Sequence, residues 1–101
     1  AIVNAGYRAI ESLRLEKGDR AWGTDITADT TPFEAGLGWA VKLKSGTDFI
    51  GRKALLSKQK QPLKKRLACF TINDPDVVLL GRETIYRNGE VVGWLTSGGW
   101  G

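Results

Sequence analysis

A chain of 101 residues, 42% of them hydrophobic, holds one core and is too short for a two-domain enzyme. Its net charge of +4 raises nucleic acid as a partner, yet the clustered cations Lys58, Lys60, Lys64, Lys65 and Arg66 fall on a predicted helix end and linker with no interleaved aromatics, so the cluster reads as a solvated face. The lack of His and of any Cys cluster argues against a zinc site, a single Cys forbids an internal disulfide, and no apolar run approaches the roughly 18 residues that span a bilayer.

The chain opens on Ala1-Ile2-Val3-Asn4 with neither an initiator Met nor a leader, the pattern expected of a piece of a longer protein. Asn4 is the expected cap of a helix running to about Leu15, which buries Ala9, Ile10 and Leu13 and stops at Gly18. From Asp19 to Gly36 the period is lost and Gly, Thr and Pro accumulate, which predicts a long functional or covered loop. The alternation in Gly38 to Lys44 predicts a half-buried strand with Trp39, Val41 and Leu43 on one face. A second, basic helix is expected over Arg52 to Gln61, amphipathic through Ala54, Leu55 and Leu56 and closed by Pro62.

Leu67 to Ile72 reads as another alternating strand, with Cys69 as a small buried hydrophobe, ended by the turn-prone Asn73-Asp74-Pro75. Val77 to Leu80 fits a short strand or a buried loop. Thr84 to Arg87 and Glu90 to Thr96 flank Asn88-Gly89, a pair suited to the positive φ angles of a two-residue hairpin turn. Taken together the elements predict an α+β chain.

Site chemistry is sparse on the residues alone. Gly36-Leu37-Gly38 runs into a predicted strand, not a helix, so it is no phosphate-binding fingerprint, and Asp25 and Asp29 read as turn formers before they read as metal ligands. Glu16 falls at a helix end that favours cations, and on spacing alone it is a solvated glutamate or a partner of Arg14 or Arg20.

A resemblance changes that reading. Arg14-Leu15-Glu16-Lys17-Gly18, Trp22-Gly23-Thr24-Asp25-Ile26, Thr31-Pro32-Phe33-Glu34-Ala35-Gly36-Leu37 and Asp48-Phe49-Ile50-Gly51-Arg52 together resemble the folate-dependent aminomethyltransferase domains of the glycine-cleavage T-protein type. Lys17 after the glutamate, the Trp22 block and the Ile85-Tyr86-Arg87-Asn88-Gly89 hairpin are more like the copy carried by flavin-dependent sarcosine and dimethylglycine dehydrogenases; Asp19 departs from the aromatic or apolar residue common there.

The resemblance implies that residues 1–62 are the C-terminal portion of a folate-binding domain and that 63–101 start an incomplete small β-barrel. It implies that Glu16 accepts two pterin N–H groups of tetrahydrofolate, with Leu15, Lys17 and Tyr7 as neighbouring contacts, a bidentate role suited to a carboxylate. In such enzymes a flavin (FAD) domain oxidises an N-methylated glycine and the one-carbon unit passes to tetrahydrofolate, while an upstream aspartate handles the proton. This chain is therefore expected to hold no catalytic residue, no metal and no FAD, to be inactive alone, and to depend on the rest of the parent chain. Neither nucleic acid nor membrane is an expected partner, and the location is bacterial cytoplasm or mitochondrial matrix. Two alternatives stay open: a stand-alone glycine-cleavage aminomethyltransferase, and a non-catalytic regulatory or scaffold paralogue.

Overall fold

A computed structural model describes residues 1–100. Two helices and one two-stranded sheet make up its main elements, distributed over two compact units, the first made of 1–27 with the segment from Cys69 onward and the second of 28–68.

In the first unit helix α1 spans Tyr7–Lys17. Its first acceptor is the Gly6 carbonyl, bonded by the amides of Ala9 and Ile10, so Asn4 lies too far upstream to cap it and no side chain does. Its end follows the expectation. Gly18 turns left-handed at φ 77°, the Asp19 amide reaches back to the Arg14 carbonyl at 2.8 Å and the Gly18 amide to Leu15 at 3.0 Å, a paired closure of the last orphan carbonyls.

The inward side of α1 is not the apolar one. Ala9, Ile10 and Leu13 are exposed, whereas Glu11, Ser12, Arg14 and Leu15 are half-buried. The cause is what meets the helix: the Ser12 hydroxyl donates to the Trp100 carbonyl at 2.8 Å and Arg14 to the Ser97 hydroxyl at 2.7 Å, so the C-terminal segment draws the polar stripe toward itself.

Further along the first unit, strands β1 (Thr84–Arg87) and β2 (Glu90–Trp94) form the expected antiparallel hairpin, with Asn88 at φ 54° and Gly89 at φ 82° in the turn. Pairing runs from Arg87 opposite Glu90 to Tyr86 opposite Val91, then skips to Ile85 opposite Gly93, so Val92 is an extra residue that bulges β2. Beyond the sheet the Arg82 amide still meets the Leu95 carbonyl, and Glu83 takes the amides of Leu80 and Gly81. Cys69 is exposed and Val77 to Leu80 is irregular, contrary to the buried thiol expected there.

The second unit is built from turns. Thr31 and Glu34 form a reciprocal cap: the Thr31 amide and hydroxyl donate to the Glu34 carboxylate at 2.8 and 2.9 Å, and the Glu34 amide donates back to the Thr31 hydroxyl at 3.3 Å. Gly38–Ala40 is a single 3-10 turn, not the expected strand, and Trp39 stands 83% exposed. Alternation alone does not make a strand when no neighbouring edge takes its backbone groups, and the same holds for 67–72, whose Leu67 amide is used by the Glu34 carbonyl instead. Helix α2, Arg52–Gln59, is shorter than expected and frays through Gln61, with Gly51 at φ 90° before it. Arg52 donates to the Leu43 carbonyl at 2.9 Å, and Leu43 and Ala35 are the buried hydrophobic residues among those described.

Candidate functional site

Glu16 sits one residue before the end of α1 and is exposed. Its carboxylate has no hydrogen bond or ion pair among the described residues, and the arginine nearest in sequence is already committed. Arg14 pairs with Glu11 and with Asp25, and Lys17 reaches Asp19 at 3.5 Å with both side chains largely in water. Arg20 donates to the Gly18 carbonyl at 2.8 Å. The bland reading of Glu16 as a partner of Arg14 is thereby removed.

The four expected contact residues do not converge. At about 100° per residue along an α-helix, Tyr7 and Glu16 project from opposite sides and are separated by about 13 Å along the axis. Leu15 turns inward, its Cδ1 3.1 Å from the point where a Cβ on Gly99 would stand, and its carbonyl is taken by the Gly18 amide. Lys17 shares the outer side with Ile10 and Leu13. Glu16 and Lys17 thus crown an exposed surface floored by Ala9, Ile10 and Leu13, while Tyr7 and Leu15 belong to the other side.

Behind that surface lies a polar cluster that the sequence reading did not single out. Asp25, with only 6% of its side chain exposed, accepts from the Ala21 amide at 2.9 Å, the Thr96 hydroxyl at 2.5 Å, the Ser97 hydroxyl at 2.7 Å and Arg14. Ser97 closes a ring by accepting from Arg14 while donating to Asp25. Burial pushes the Asp25 carboxyl up, but the Ala21 amide, the two hydroxyls and the Arg14 charge outweigh it and hold the carboxyl below the usual aspartate value. Burial likewise opposes the Arg14 charge, and the contacts to Glu11 and Asp25 override it, so its pKa rises. The i, i+3 spacing of Glu11 and Arg14 was a legible signal; the partnership with residues 96 and 97 had none.

A cavity of about 200 Å³ in the second unit is lined by Thr31, Phe33, Glu34 and Lys58 among others, and none of the expected contact residues reaches it. The Thr31 amide and hydroxyl, with Lys65 and Lys58 nearby, hold Glu34 below its ordinary value. Among the described residues no group of three or more His, Cys, Asp or Glu is arranged to hold a metal ion, and no helix is long and apolar enough to cross a membrane.

Two family models match the chain: "GCVT N-terminal domain" over residues 1–45 and "Glycine cleavage T-protein C-terminal barrel domain" over 65–101. Human mitochondrial sarcosine dehydrogenase is 48% identical over 100 residues, covering 99% of this chain and 11% of that protein. Human mitochondrial dimethylglycine dehydrogenase is 50% identical over 97 residues, covering 96% of this chain and 11% of that protein. The mitochondrial regulatory subunit of mouse pyruvate dehydrogenase phosphatase is 48% identical over 100 residues, covering 95% of this chain and 11% of that protein. The chain spans about a tenth of the length of these relatives. With the N-terminal and C-terminal models of the glycine-cleavage T-protein matched in order along the chain, the chain belongs to the glycine-cleavage T-protein family.

Proposed function

We propose that this chain is the part of a flavin-dependent sarcosine or dimethylglycine dehydrogenase that supplies one wall of a tetrahydrofolate site, with residues 1–62 in the folate-binding domain and 63–101 in the barrel. The observation that carries this reading is the unpaired, exposed Glu16 carboxylate on a helix end whose neighbouring arginine is spoken for. A free carboxylate fits the two adjacent N–H donors of a pterin, and the apolar floor of Ala9, Ile10 and Leu13 suits the edge of a flat ring. Lys17, one residue on, contributes its side chain; Leu15 contributes through the turn it closes, and Tyr7 stands apart from this surface.

FAD, when bound in the parent, supplies oxidation of the N-methylated glycine, and no residue of this chain is assigned to it. The chain's own work is to bind and orient the one-carbon acceptor, in a bacterial cytoplasm or a mitochondrial matrix.

The test uses the full-length protein. Glu16→Gln removes the charge and turns one acceptor into a donor, so tetrahydrofolate should bind about 10- to 150-fold more weakly, the equivalent of roughly 1.5 to 3 kcal/mol for a charge-assisted bond. Flavin reduction by the amine, followed separately, should stay near normal. Unchanged folate affinity would return Glu16 to an ordinary surface charge. The 48% identity to a phosphatase regulatory subunit favours a second reading, a scaffold without transfer chemistry, which predicts no tetrahydrofolate binding by the full-length protein at all.

A further inference from the structure

We propose that Asp25 and Ser97, acting through Arg14, are positioning residues that fix the turn presenting Glu16; the inference rests on the folate reading above. Glu16 has no side-chain partner of its own, so its orientation is set by the backbone of the last turn. Arg14 holds that turn at both ends. Its carbonyl receives the Asp19 amide at 2.8 Å, and its guanidinium is fastened to Glu11, Asp25 and Ser97. Arg14 and Glu16 lie about 160° apart around an α-helix, so immobilising the first leaves the second facing outward.

The ring formed by Arg14, Ser97 and Asp25 also keeps the guanidinium on the side of the helix away from Glu16. Every acceptor position of Asp25 is filled, two of them by hydroxyls from Thr96 and Ser97. A bidentate contact depends on direction as well as distance, so loosening this ring degrades the contact without touching it.

A double-mutant cycle in the full-length protein tests the proposal, with tetrahydrofolate as the probe. Asp25→Asn and Ser97→Ala should each weaken tetrahydrofolate binding about 3- to 10-fold, the range of one or two neutral hydrogen bonds, raising its KM while kcat at saturating folate is retained. In the Glu16→Gln background the same changes should add almost nothing, because the contact they orient is gone. Ser97→Ala keeps the ion pair and carries the cycle if Asp25→Asn does not fold. Equal fold-losses in both backgrounds would overturn the positioning role while leaving Glu16 as the folate contact. No effect of Glu16→Gln by itself would overturn the folate reading and the positioning role with it.

Discussion

Asp25 accepts from four donors, one of them the largely buried Arg14 guanidinium, so its removal leaves Arg14 with Glu11 as its only counter-charge and with no partner at Nε among the described residues. Losing a charge-assisted hydrogen bond costs about 1.5 to 3 kcal/mol, and Asp25→Ala should lower the unfolding free energy of the domain in the full-length protein by that order. Acid should act through the same carboxyl. Its folded pKa lies below the unfolded value near 3.9, so its contribution is complete above that value, declines as pH falls through the gap and is gone below the folded pKa. The Asn variant should therefore be less stable at neutral pH and show a shallower acid limb. An identical acid limb in a denaturation series would assign the sensitivity to other carboxylates, Glu34 and Glu83 being the ones also held low. None of this was legible beforehand. Asp25 reads as a turn residue because its partners at 96 and 97 lie more than 70 positions away, and a lone sequence carries no sign of that meeting.

Among the elements, those whose causes are local were legible. The Asn88-Gly89 pair dictates its turn within two residues, and Gly18 ends α1 by adopting the left-handed conformation it tolerates. Gly89→Val forces a β-branched side chain to φ 82°, a strain of about 1 to 3 kcal/mol. Faster hydrogen exchange across Thr84 to Trp94 in the full-length protein is the expected readout, and unchanged protection would remove the turn from the account. Elements that need a distant partner were misread. The alternations at 38–44 and 67–72 have strand character, but a strand exists only where another edge accepts its bonds, and among the described residues none does. The apolar stripe of α1 exists as a stripe but is exposed and not buried, because nothing among the described residues covers it.

At the scale of the whole molecule, only Ala35 and Leu43 are buried hydrophobic residues among those described, against twenty large hydrophobic residues left exposed. Trp22, Trp39, Trp94 and Trp100 are all more than 60% exposed. Burial on this scale does not offset the conformational entropy of a hundred residues. The isolated chain should accordingly unfold without a cooperative transition, bind a hydrophobic dye, and show red-shifted tryptophan emission open to quenchers. Incubated with sarcosine, flavin and tetrahydrofolate, it should leave methylene-tetrahydrofolate at background. A sharp two-state melt with blue-shifted emission would show that the chain finds a better core than its own surface suggests.

The first unit is interrupted in sequence, and the ring that closes it joins Arg14 to Ser97 across 83 positions. On a ribosome adding roughly 5 to 20 residues per second, about 4 to 17 s separate the synthesis of the guanidinium from that of the hydroxyl that bridges it. During that interval Asp25 lacks two of its four donors and the helix end is free to fray, while residues 28–68 emerge complete and can form their turns from nearby contacts. The ring of Arg14, Asp25 and Ser97 behind the helix end is thus among the last parts of this segment to set, and a nascent chain stalled before Thr96 would carry the locally closed turn without it.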